Sequence, residues 1–441
     1  MKLAEARRRL PIVGQIPSTP SDSRRVRSLV DGALPEPRLV VWELTLACDQ
    51  KCLHCGSRAG ARRPDELSTE DCLALVEELA ALGTGEVVLI GGEAYLRNDF
   101  ILIARAIRVA GMRCSMTTGA LNINDARLEA MVEAGMQHVS VSIDGLEATH
   151  DRLRDVPGSW RHAMDSLDRL RAAGLSISVN TQINAWTMHE LEGLMEALLT
   201  KGIRGWQLQV TAPFGNAADH PELLLQPYML LEVYATLERI LDRCDAAGVQ
   251  VWPGNSLGYF GPIEQRLRKH QQSKGHYPGC GSGRTLMGIE ADGKIKGCPS
   301  LGGPANVAGV YRPGRLRELW ASGTQIEYTR TRGTTHLWGF CGECYYREIC
   351  RGGCTAVAEP LMGRPGNNPF CHHRALEMDR MGARERIELV EAAPGEPFDH
   401  GWYRIIRESK DPEHRATQGP IAIDEPRTGR ELEPHGVGGP R

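Results

Sequence analysis

The stretch ACDQKCLHCG, residues 47–56, places Cys48, Cys52 and Cys55 within eight residues. A structural zinc site or a complete iron–sulfur cluster takes four protein ligands, and disulfides use cysteines in pairs. Three thiols at this spacing therefore leave one coordination position without a local ligand. Either a ligand outside the motif fills that position, or the motif is a zinc knuckle whose fourth ligand lies far away in the chain.

The composition of the 441 residues, with 41% hydrophobic and 24% charged residues, is typical of a soluble globular protein of two or three domains. The net charge of −3 gives no electrostatic reason to expect a nucleic-acid partner. No apolar segment approaches the roughly 20 residues that span a bilayer, and the N-terminus lacks the apolar region of a signal peptide. We therefore expect a cytoplasmic protein without a membrane partner; an Arg-rich transit peptide is the alternative.

The thirteen cysteines are unevenly distributed along the chain. Cytoplasmic thiols stay reduced, so this number indicates metal ligands rather than disulfides. Besides the triplet at 48–55, a second group occupies the C-terminal third, namely Cys280, Cys298, Cys341, Cys344, Cys350, Cys354 and Cys371. The scattered Cys72, Cys114 and Cys244 are predicted to be small buried apolar residues.

Short apolar segments alternate with helical patterns in the first half of the chain. The six segments are 39–45, 86–91, 113–119, 138–145, 175–183 and 205–210. The helical pattern at 69–83 begins after Ser68, a typical N-cap residue, and ends at Gly83. Such alternation predicts an α/β fold of parallel strands with right-handed crossovers, and six units favour a partial (β/α)6 barrel over a closed eight-stranded one. The cysteine triplet would then follow the first strand, at the end where α/β barrels carry their chemistry.

The pattern divides the chain into four regions. We expect a partly ordered N-terminal arm at 1–37, the barrel at 38–255, a Cys- and Gly-rich domain at 275–385 and a flexible tail at 394–441. The third region has little apolar sequence, so metal clusters are expected to hold it together. The last region is rich in charge, Pro and Gly, which is typical of disorder.

The spacing Cys48-x3-Cys52-x2-Cys55, with His54 before the last cysteine, resembles the radical S-adenosylmethionine (SAM) superfamily. The resemblance implies that the three thiolates bind a 4Fe–4S cluster, whose open iron takes the amino and carboxylate groups of SAM. It also implies that an electron from the cluster cleaves SAM to a 5′-deoxyadenosyl radical, which abstracts hydrogen. On this interpretation the missing ligand is the cofactor.

The segment GGEA, residues 91–94, is similar to the GGE motif of that superfamily, with Ala94 in place of the usual proline. The resemblance implies that Glu93 offers its carboxylate to the SAM ammonium group. Gly91 and Gly92 lack Cβ atoms, so their backbone can approach a ligand closely. Outside this context the three residues would indicate only a turn.

The segments SIDG (142–145) and HDRLR (150–154) are similar to the fourth-strand region of the superfamily. The resemblance implies that Ser142 lies near the SAM ribose or carboxylate and that Arg154 pairs with that carboxylate. The alternative for Arg154 is an exposed arginine on a helix.

The C-terminal cysteine order, with Gly293 before Cys298, resembles the SPASM domain, which holds two auxiliary 4Fe–4S clusters. The resemblance implies three clusters in the whole chain. It assigns the outer auxiliary cluster to Cys341, Cys344, Cys350 and Cys371, and the inner one to Cys280, Cys298 and Cys354. The inner cluster is thus one ligand short, because the stretch GSGRTLMG (281–288) lacks the extra cysteine that some relatives carry. A non-cysteine side chain, water or the substrate would complete it, and we expect an iron open to an exchangeable ligand.

SPASM relatives mostly modify ribosomally made peptides, so the resemblance implies a peptide maturase. It would act on a short precursor peptide, receive electrons from a donor such as flavodoxin or ferredoxin, and use a peptide-recognition module absent here or carried on a separate chain. Two alternatives remain at this point. One is a radical SAM enzyme acting on a small molecule or cofactor precursor, and the other is a non-catalytic metal-binding scaffold.

Overall fold

The computed structural model describes residues 34–270, 275–277 and 279–424. Nearly all of the arm expected at 1–37 lies outside these residues. The unit described below is Glu36–Arg441, one of the two compact units of the chain. None of the helices in the described ranges is long and apolar enough to cross a membrane.

The six predicted strands are all present, and they lie side by side in chain order. They are β1 (Leu39–Glu43), β2 (Glu86–Ile90), β3 (Arg113–Thr118), β4 (His138–Ser142), β5 (Ser176–Ile183) and β6 (Gly205–Val210). Every adjacent pair in this series is parallel. The predicted α/β fold with a partial barrel of parallel strands is thus confirmed.

Helices cover the sheet between these strands and continue into the C-terminal half. Those of the barrel are α1 (Thr69–Ala81), α2 (Phe100–Val109), α3 (Asp125–Glu133), α4 (Glu147–Arg154), α5 (Ser159–Ala172), α6 (Leu191–Leu199), α7 (Asn216–Asp219), α8 (Leu230–Ala246) and α9 (Glu264–Leu267). Those that follow are α10 (Leu316–Ser322), α11 (Thr324–Thr331), α12 (Gly339–Glu343), α13 (Arg347–Cys350), α14 (Thr355–Met362), α15 (His372–Arg380) and α16 (Pro412–Gln418).

Helix α1 illustrates how the sequence builds these units. Ser68 caps it as predicted, because its hydroxyl accepts a hydrogen bond from the Asp71 backbone N–H at 3.1 Å. Its apolar side chains recur every three to four residues, and Leu75, Val76 and Leu79 are fully buried. The helix therefore packs one face on the sheet and leaves the other to solvent.

Four further strands extend the sheet at both edges. Strand β7 (Gln250–Pro253) pairs in parallel with β6, and β8 (Leu286–Ile289) pairs in parallel with β1. Strands β9 (Lys294–Lys296) and β10 (Val307–Val310) then follow β8 in antiparallel order. The resulting sheet has ten strands in the order β10-β9-β8-β1-β2-β3-β4-β5-β6-β7. The Cys-rich region is thereby joined to the barrel through a shared sheet.

A second, three-stranded antiparallel sheet extends into the region 394–441, where a flexible tail was expected. It consists of β11 (Ala383–Glu391), β12 (Trp402–Ser409) and β13 (Ile421–Asp424). The tail prediction is therefore wrong for 402–424, because the charged residues there are not solvated individually but pair across strands. Arg384 and Arg386 both bond Glu408, while Ile405 and Tyr403 are buried on the other face. Residues 425–441 lie outside the described part.

Candidate active site

The cysteine triplet lies in the loop after β1, at the carboxyl end of the parallel strands. The loop is tight, since the Cys55 N–H donates to the Cys52 carbonyl at 3.2 Å and the Cys48 N–H donates to the Gly60 carbonyl at 3.1 Å. Cys52 is buried, and Cys48 and Cys55 are half-buried. Burial raises the pKa of the Cys52 thiol to about 12, and the Arg154 guanidinium acts in the opposite direction. The three thiols thus sit at one strand end in a largely desolvated loop.

The GGE segment packs directly against the backbone that leads into this loop. A Cβ atom on Gly91 would lie 2.2 Å from the Thr45 carbonyl oxygen, and one on Gly92 would lie 2.1 Å from the Ala47 carbonyl oxygen. The Glu93 N–H donates to the same Ala47 carbonyl at 2.7 Å. The glycines are therefore required for contact between two protein segments, whereas the sequence had suggested close approach to a ligand.

Glu93 itself is buried beside the loop, with 2% of its surface exposed. Its carboxylate accepts hydrogen bonds from Thr118 Oγ1 at 2.6 Å and from the Gly119 N–H at 2.5 Å. Burial raises the pKa of Glu93 to about 8, although both hydrogen bonds lower it. Since each carboxylate oxygen accepts more than one hydrogen bond, Glu93 retains acceptor capacity for a ligand.

Arg154 is buried, which excludes its alternative reading as an exposed helical arginine. Its Nε and Nη2 donate to Asp144 Oδ2 at 3.0 and 2.5 Å. The same oxygen lies 3.1 Å from His54 Nε2, and Arg154 Nη1 lies 3.7 Å from Cys52 Sγ. Burial raises the pKa of Asp144, but the Arg154 guanidinium and the hydrogen bond with His54 lower it by more, so the net effect is a lowered pKa. A buried ion pair therefore joins the end of β4 to the cysteine loop.

Sequence reasoning did not single out Asp144, although its position two residues after the end of β4, in SIDG, was an available signal. Ser142, which it did single out, is the last residue of β4 and lies opposite Asn180 of β5. Three polar atoms of the cysteine loop are buried without a hydrogen-bond partner among the described residues: Asp49 Oδ1, Gln50 Nε2 and His54 Nδ1. Orphaned buried atoms of this kind indicate an interaction with something other than the chain.

The connection between β11 and β12 covers the far side of the cysteine loop, another feature that the sequence did not reveal. The Phe398 N–H donates to the Gly56 carbonyl at 3.1 Å, and the Gly215 N–H donates to the Asp399 carbonyl at 2.7 Å. Arg58 Nε donates to the Asp399 carboxylate at 2.8 Å, and the same guanidinium bonds Asp219 of α7. One arginine therefore ties the cysteine loop to the barrel and to the C-terminal sheet.

The C-terminal cysteines lie in two neighbourhoods of the structure, while their assignment to two clusters stays a prediction. Burial raises the pKa of Cys354 to about 12, and the adjacent Cys298 and Cys280 thiolates add to the rise. Burial likewise raises the pKa of Cys298, with Cys280 as its neighbouring charge. We call Cys280, Cys298 and Cys354 the inner trio.

The second group lines one small pocket. Its members, which we call the outer quartet, are Cys341, Cys344, Cys350 and Cys371. Burial raises the pKa of Cys371, and the Cys350 and Cys341 thiolates raise it further. Within the described ranges, no three His, Cys, Asp or Glu side chains form a ready-made site for a single metal ion. The case for metal in both groups therefore rests on the number, grouping and burial of the thiols.

A family model of the radical SAM superfamily matches residues 42–198. The chain carries a radical SAM domain. The cysteine triplet, the GGE segment, Asp144 and Arg154 all lie within the matched residues. The chain is thus an enzyme of the radical SAM type.

Two curated relatives match this radical SAM enzyme over most of its length. The AdoMet-dependent heme synthase of Methanosarcina barkeri is 28% identical over 353 residues, which cover 77% of this chain and 97% of the relative. The mycofactocin maturase MftC of Mycobacterium ulcerans is 29% identical over 368 residues, which cover 80% of this chain and 94% of the relative. The two relatives are named for different kinds of product.

Solved structures of Streptococcus suis SuiB share the fold. SuiB bound to S-adenosylmethionine has a TM-score of 0.61 at 15% identity, covering 81% of this chain and 83% of SuiB. SuiB bound to its precursor peptide SuiA has a TM-score of 0.56 at 16% identity, covering 80% and 82%. At these identities the likeness shows the fold alone.

Proposed function

We propose that this radical SAM enzyme abstracts hydrogen from a ribosomally made peptide and thereby oxidises or crosslinks it. The observation that carries the proposal is the meeting of three thiols, a buried carboxylate and a buried guanidinium at the carboxyl ends of β1, β2 and β4. When bound, a reduced 4Fe–4S cluster and SAM would supply a 5′-deoxyadenosyl radical for hydrogen abstraction.

The residues at this site fit both groups. Cys48, Cys52 and Cys55 would hold three irons of the cluster, which leaves the fourth for SAM. Glu93 would accept a hydrogen bond from an N–H of the SAM amino group. Arg154 would pair with the SAM carboxylate through an N–H group that remains over. A guanidinium has five N–H donors, and Arg154 Nε and Nη2 donate to Asp144 while Nη1 lies near Gln50 Oε1 and Cys52 Sγ. The unpartnered atoms of Asp49 and Gln50 would face the same ligand.

The inner trio and the outer quartet would each hold an auxiliary 4Fe–4S cluster, giving three clusters in total. The outer quartet supplies the four thiolates that such a cluster takes, around one shared cavity. The inner trio supplies three thiolates, which lie close enough to raise one another's pKa. These clusters would take up an electron from the substrate or bind it.

A peptide substrate is supported by the maturase relative and by the shared fold of SuiB, which was solved with its precursor peptide. The similarity to a heme synthase over nearly that relative's whole length supports a second candidate, a small-molecule precursor of heme type. We place the enzyme in the cytoplasm. There, a flavodoxin- or ferredoxin-like protein would reduce the clusters, and a separate protein would present the peptide.

Anaerobic incubation of the reconstituted enzyme with SAM and dithionite, read by mass spectrometry, distinguishes the candidates. One arm contains short peptides encoded beside the gene, and a second arm contains heme precursors. A mass loss or crosslink in a peptide, dependent on SAM, supports the proposal. Turnover of a heme precursor with no change in any peptide would replace it with the second candidate.

A further inference from the structure

The interior face of the partial barrel is polar along β5 and β6. Residues of β5 alternate between buried and half-buried, and the second half of β6 does the same. Because helices cover one face of the sheet in an α/β unit, the half-buried residues line the other face, which is the barrel interior. These residues are Ser176, Ser178, Asn180 and Gln182 of β5 and Gln207 and Gln209 of β6.

Four of these side chains end in a carboxamide, and they lie in register. Asn180 is opposite Gln207, and Gln182 is opposite Gln209. Adjacent strands are about 4.8 Å apart, and same-face residues of one strand repeat about every 6.6 Å. The four residues therefore form one compact group, which we call the carboxamide block.

The amide groups of the block have unused hydrogen-bonding capacity. Within the described ranges, none of the four side chains makes a hydrogen bond to the protein. The other end of the same face differs, because Ser178 Oγ lies 2.9 Å from His138 Nε2 and donates to Ser140 Oγ at 2.8 Å. Each carboxamide offers two N–H donors and an acceptor oxygen. The unused groups are thus concentrated at the carboxyl ends of the strands, where the cysteine loop lies.

Backbone contacts connect the block to the residues proposed to hold SAM. The Gln182 backbone N–H donates to Asp144 Oδ1 at 2.9 Å, and Asp144 Oδ2 accepts from Arg154 Nε at 3.0 Å. Asn180 lies opposite Ser142 of β4, on the side expected to hold SAM. The three glutamines of the block therefore lie on the side that is left for a substrate.

The interior face carries little charge. Across β3–β7, all of whose residues are described, Arg113 is the one residue of this face with a fixed charge, and its Nη1 lies 3.9 Å from the Glu86 carboxylate. A tetrapyrrole precursor carries several carboxylates, which charged donors recognise most strongly. Peptide groups are neutral and offer one donor and one acceptor each. The chemistry of this face therefore favours a peptide backbone over a polycarboxylate.

We propose that Gln182, Gln207 and Gln209 bind backbone amide groups of the peptide substrate beside the SAM site. The proposal rests on the proposed function and names the part of the peptide that the site recognises. Same-side amide groups of an extended peptide repeat about every 6.6 Å, which is also the spacing of Gln207 and Gln209 along β6. Each glutamine would donate to a peptide carbonyl and accept from a peptide N–H.

The test measures the binding of an uncharged peptide to the reconstituted enzyme with SAM and without reductant. The probe is N-acetyl-tetraalanine N-methylamide, and its bound fraction is measured by equilibrium dialysis and mass spectrometry. A second probe has its two central amides replaced by esters and so lacks two N–H donors. Coproporphyrin, which has four carboxylates, is the third ligand.

The variants Gln182→Leu and Gln209→Leu each remove one carboxamide. Gln250→Leu is the matched control, because Gln250 lies on the same face at the start of β7, where it is opposite Gly205. We expect the first two variants to bind the peptide probe about three- to tenfold more weakly, and the control to bind it like wild type. The ester probe should also bind wild type more weakly. The melting temperatures should not fall, since these amides have no partner within the described ranges, whereas a purely structural role would lower them.

Several results would overturn the assignment of the three glutamines. They are no detectable binding of the peptide probe, equal affinity in all variants, equal binding of the amide and ester probes, or a loss confined to coproporphyrin. Failure of the proposed function has a different signature, because no peptide then changes mass in the anaerobic incubation with reductant. Failure of this assignment alone leaves that reaction intact in Gln182→Leu and Gln209→Leu.

Discussion

At the residue scale, Glu93 is a buried carboxylate whose charge depends on pH in the range of ordinary assays. Its pKa of about 8 means that the group is mainly neutral at pH 6.5 and mainly ionised at pH 8.5. If the ionised form accepts a hydrogen bond from the SAM amino group, a neutral Glu93 must lose its proton when SAM binds. SAM affinity should therefore rise with pH up to about 8 and level off above it.

The substitution Glu93→Gln keeps the shape of the side chain and removes its charge. Loss of a charge-assisted hydrogen bond costs about 1.5–3 kcal/mol, so we expect SAM affinity to fall at least about tenfold at pH 8.5 and to lose its pH dependence. Equilibrium SAM binding across pH 6.5–8.5, with iron content measured in parallel, checks this. Glu86→Gln, at the start of the strand β2 that leads to Glu93, is the matched control and should behave like wild type. An unchanged affinity and pH profile in Glu93→Gln would remove Glu93 from the SAM site.

Arg154 and Arg152 lie on the same helix and provide a second comparison. Without Arg154, the Asp144 carboxylate would stay buried but would lose the arginine that balances its charge. We therefore expect Arg154→Ala to lower the free energy of unfolding by about 3–5 kcal/mol. Arg152 is exposed and contacts the Trp186 ring, with its Cζ 3.7 Å from the ring centroid, so Arg152→Ala should cost about 1 kcal/mol or less. Thermal or urea unfolding of the two variants measures both values. Equal losses would mean that the ion pair is not the stabilising contact.

The site residues that the sequence revealed are those belonging to local motifs. The three cysteines and Glu93 follow strands whose order along the chain matches their order in the sheet. The motif match and the predicted place at a strand end therefore pointed to the same residues. Asp144 and its contact with His54 escaped notice because the two residues are 90 positions apart in the sequence, and only the packing of the cysteine loop against the end of β4 brings them to 3.1 Å. Contacts between loops of different strands are not encoded in any single segment.

At the element scale, the β11–β12 connection is hydrogen-bonded to the cysteine loop and holds it in place. Asp399 is largely buried, and it accepts from Arg58 Nε and from the backbone N–H groups of Gly395 and Glu396. The Arg58 backbone has φ +49°, a left-handed conformation that non-glycine residues rarely adopt. The surrounding hydrogen bonds must hold this conformation in place.

Asp399→Asn should weaken the contact between this connection and Arg58 of the cysteine loop. The neutral amide keeps the size of the side chain but loses the charged partner of Arg58, so we expect a loss of about 1–3 kcal/mol in stability, seen as a lower melting temperature. The exposed Glu396 contacts Arg58 only through its backbone carbonyl, so Glu396→Gln is the control. Its melting temperature should equal that of the wild type. If both variants have the same melting temperature, the charge of Asp399 does not contribute to the stability of the protein.

The same region shows why the C-terminal elements were mispredicted. Strands β11 and β12 read ARERIELVE and WYRIIRES, in which arginine and glutamate are together as numerous as the apolar residues. Composition alone therefore indicated a solvated tail. The alternation that places Ile387, Ile405 and Tyr403 on the buried face becomes informative only once the two strands are paired, and the connection between them is ten residues long (392–401).

At the scale of the whole molecule, the Cys-rich region continues the barrel sheet through β8. Its first paired residue, Leu286, lies opposite Leu39 at the start of β1. The sequence predicted both the barrel and the two cysteine groups, but it gave no sign of this shared sheet, because the strands β8–β10 are only three or four residues long. Short strands of this kind carry too little periodicity to be recognised.

Because the cysteine triplet and the C-terminal cysteines are more than two hundred residues apart in the chain, their iron contents should be separable. Reconstituted wild type is expected to hold about twelve irons, and the variant lacking Cys48, Cys52 and Cys55 about eight. Iron and sulfide analysis of the two purified proteins provides the count. Loss of all iron in the variant would show that the auxiliary clusters depend on the triplet.

The most direct test of the central claim is the reductive cleavage of SAM itself. Reconstituted wild type, incubated anaerobically with SAM and dithionite, is expected to form 5′-deoxyadenosine, which is quantified by liquid chromatography and mass spectrometry. The variant with Cys48, Cys52 and Cys55 replaced by alanine should form none while keeping its auxiliary iron. Equal 5′-deoxyadenosine formation by both proteins, or none by a wild type with its full iron content, would contradict the account.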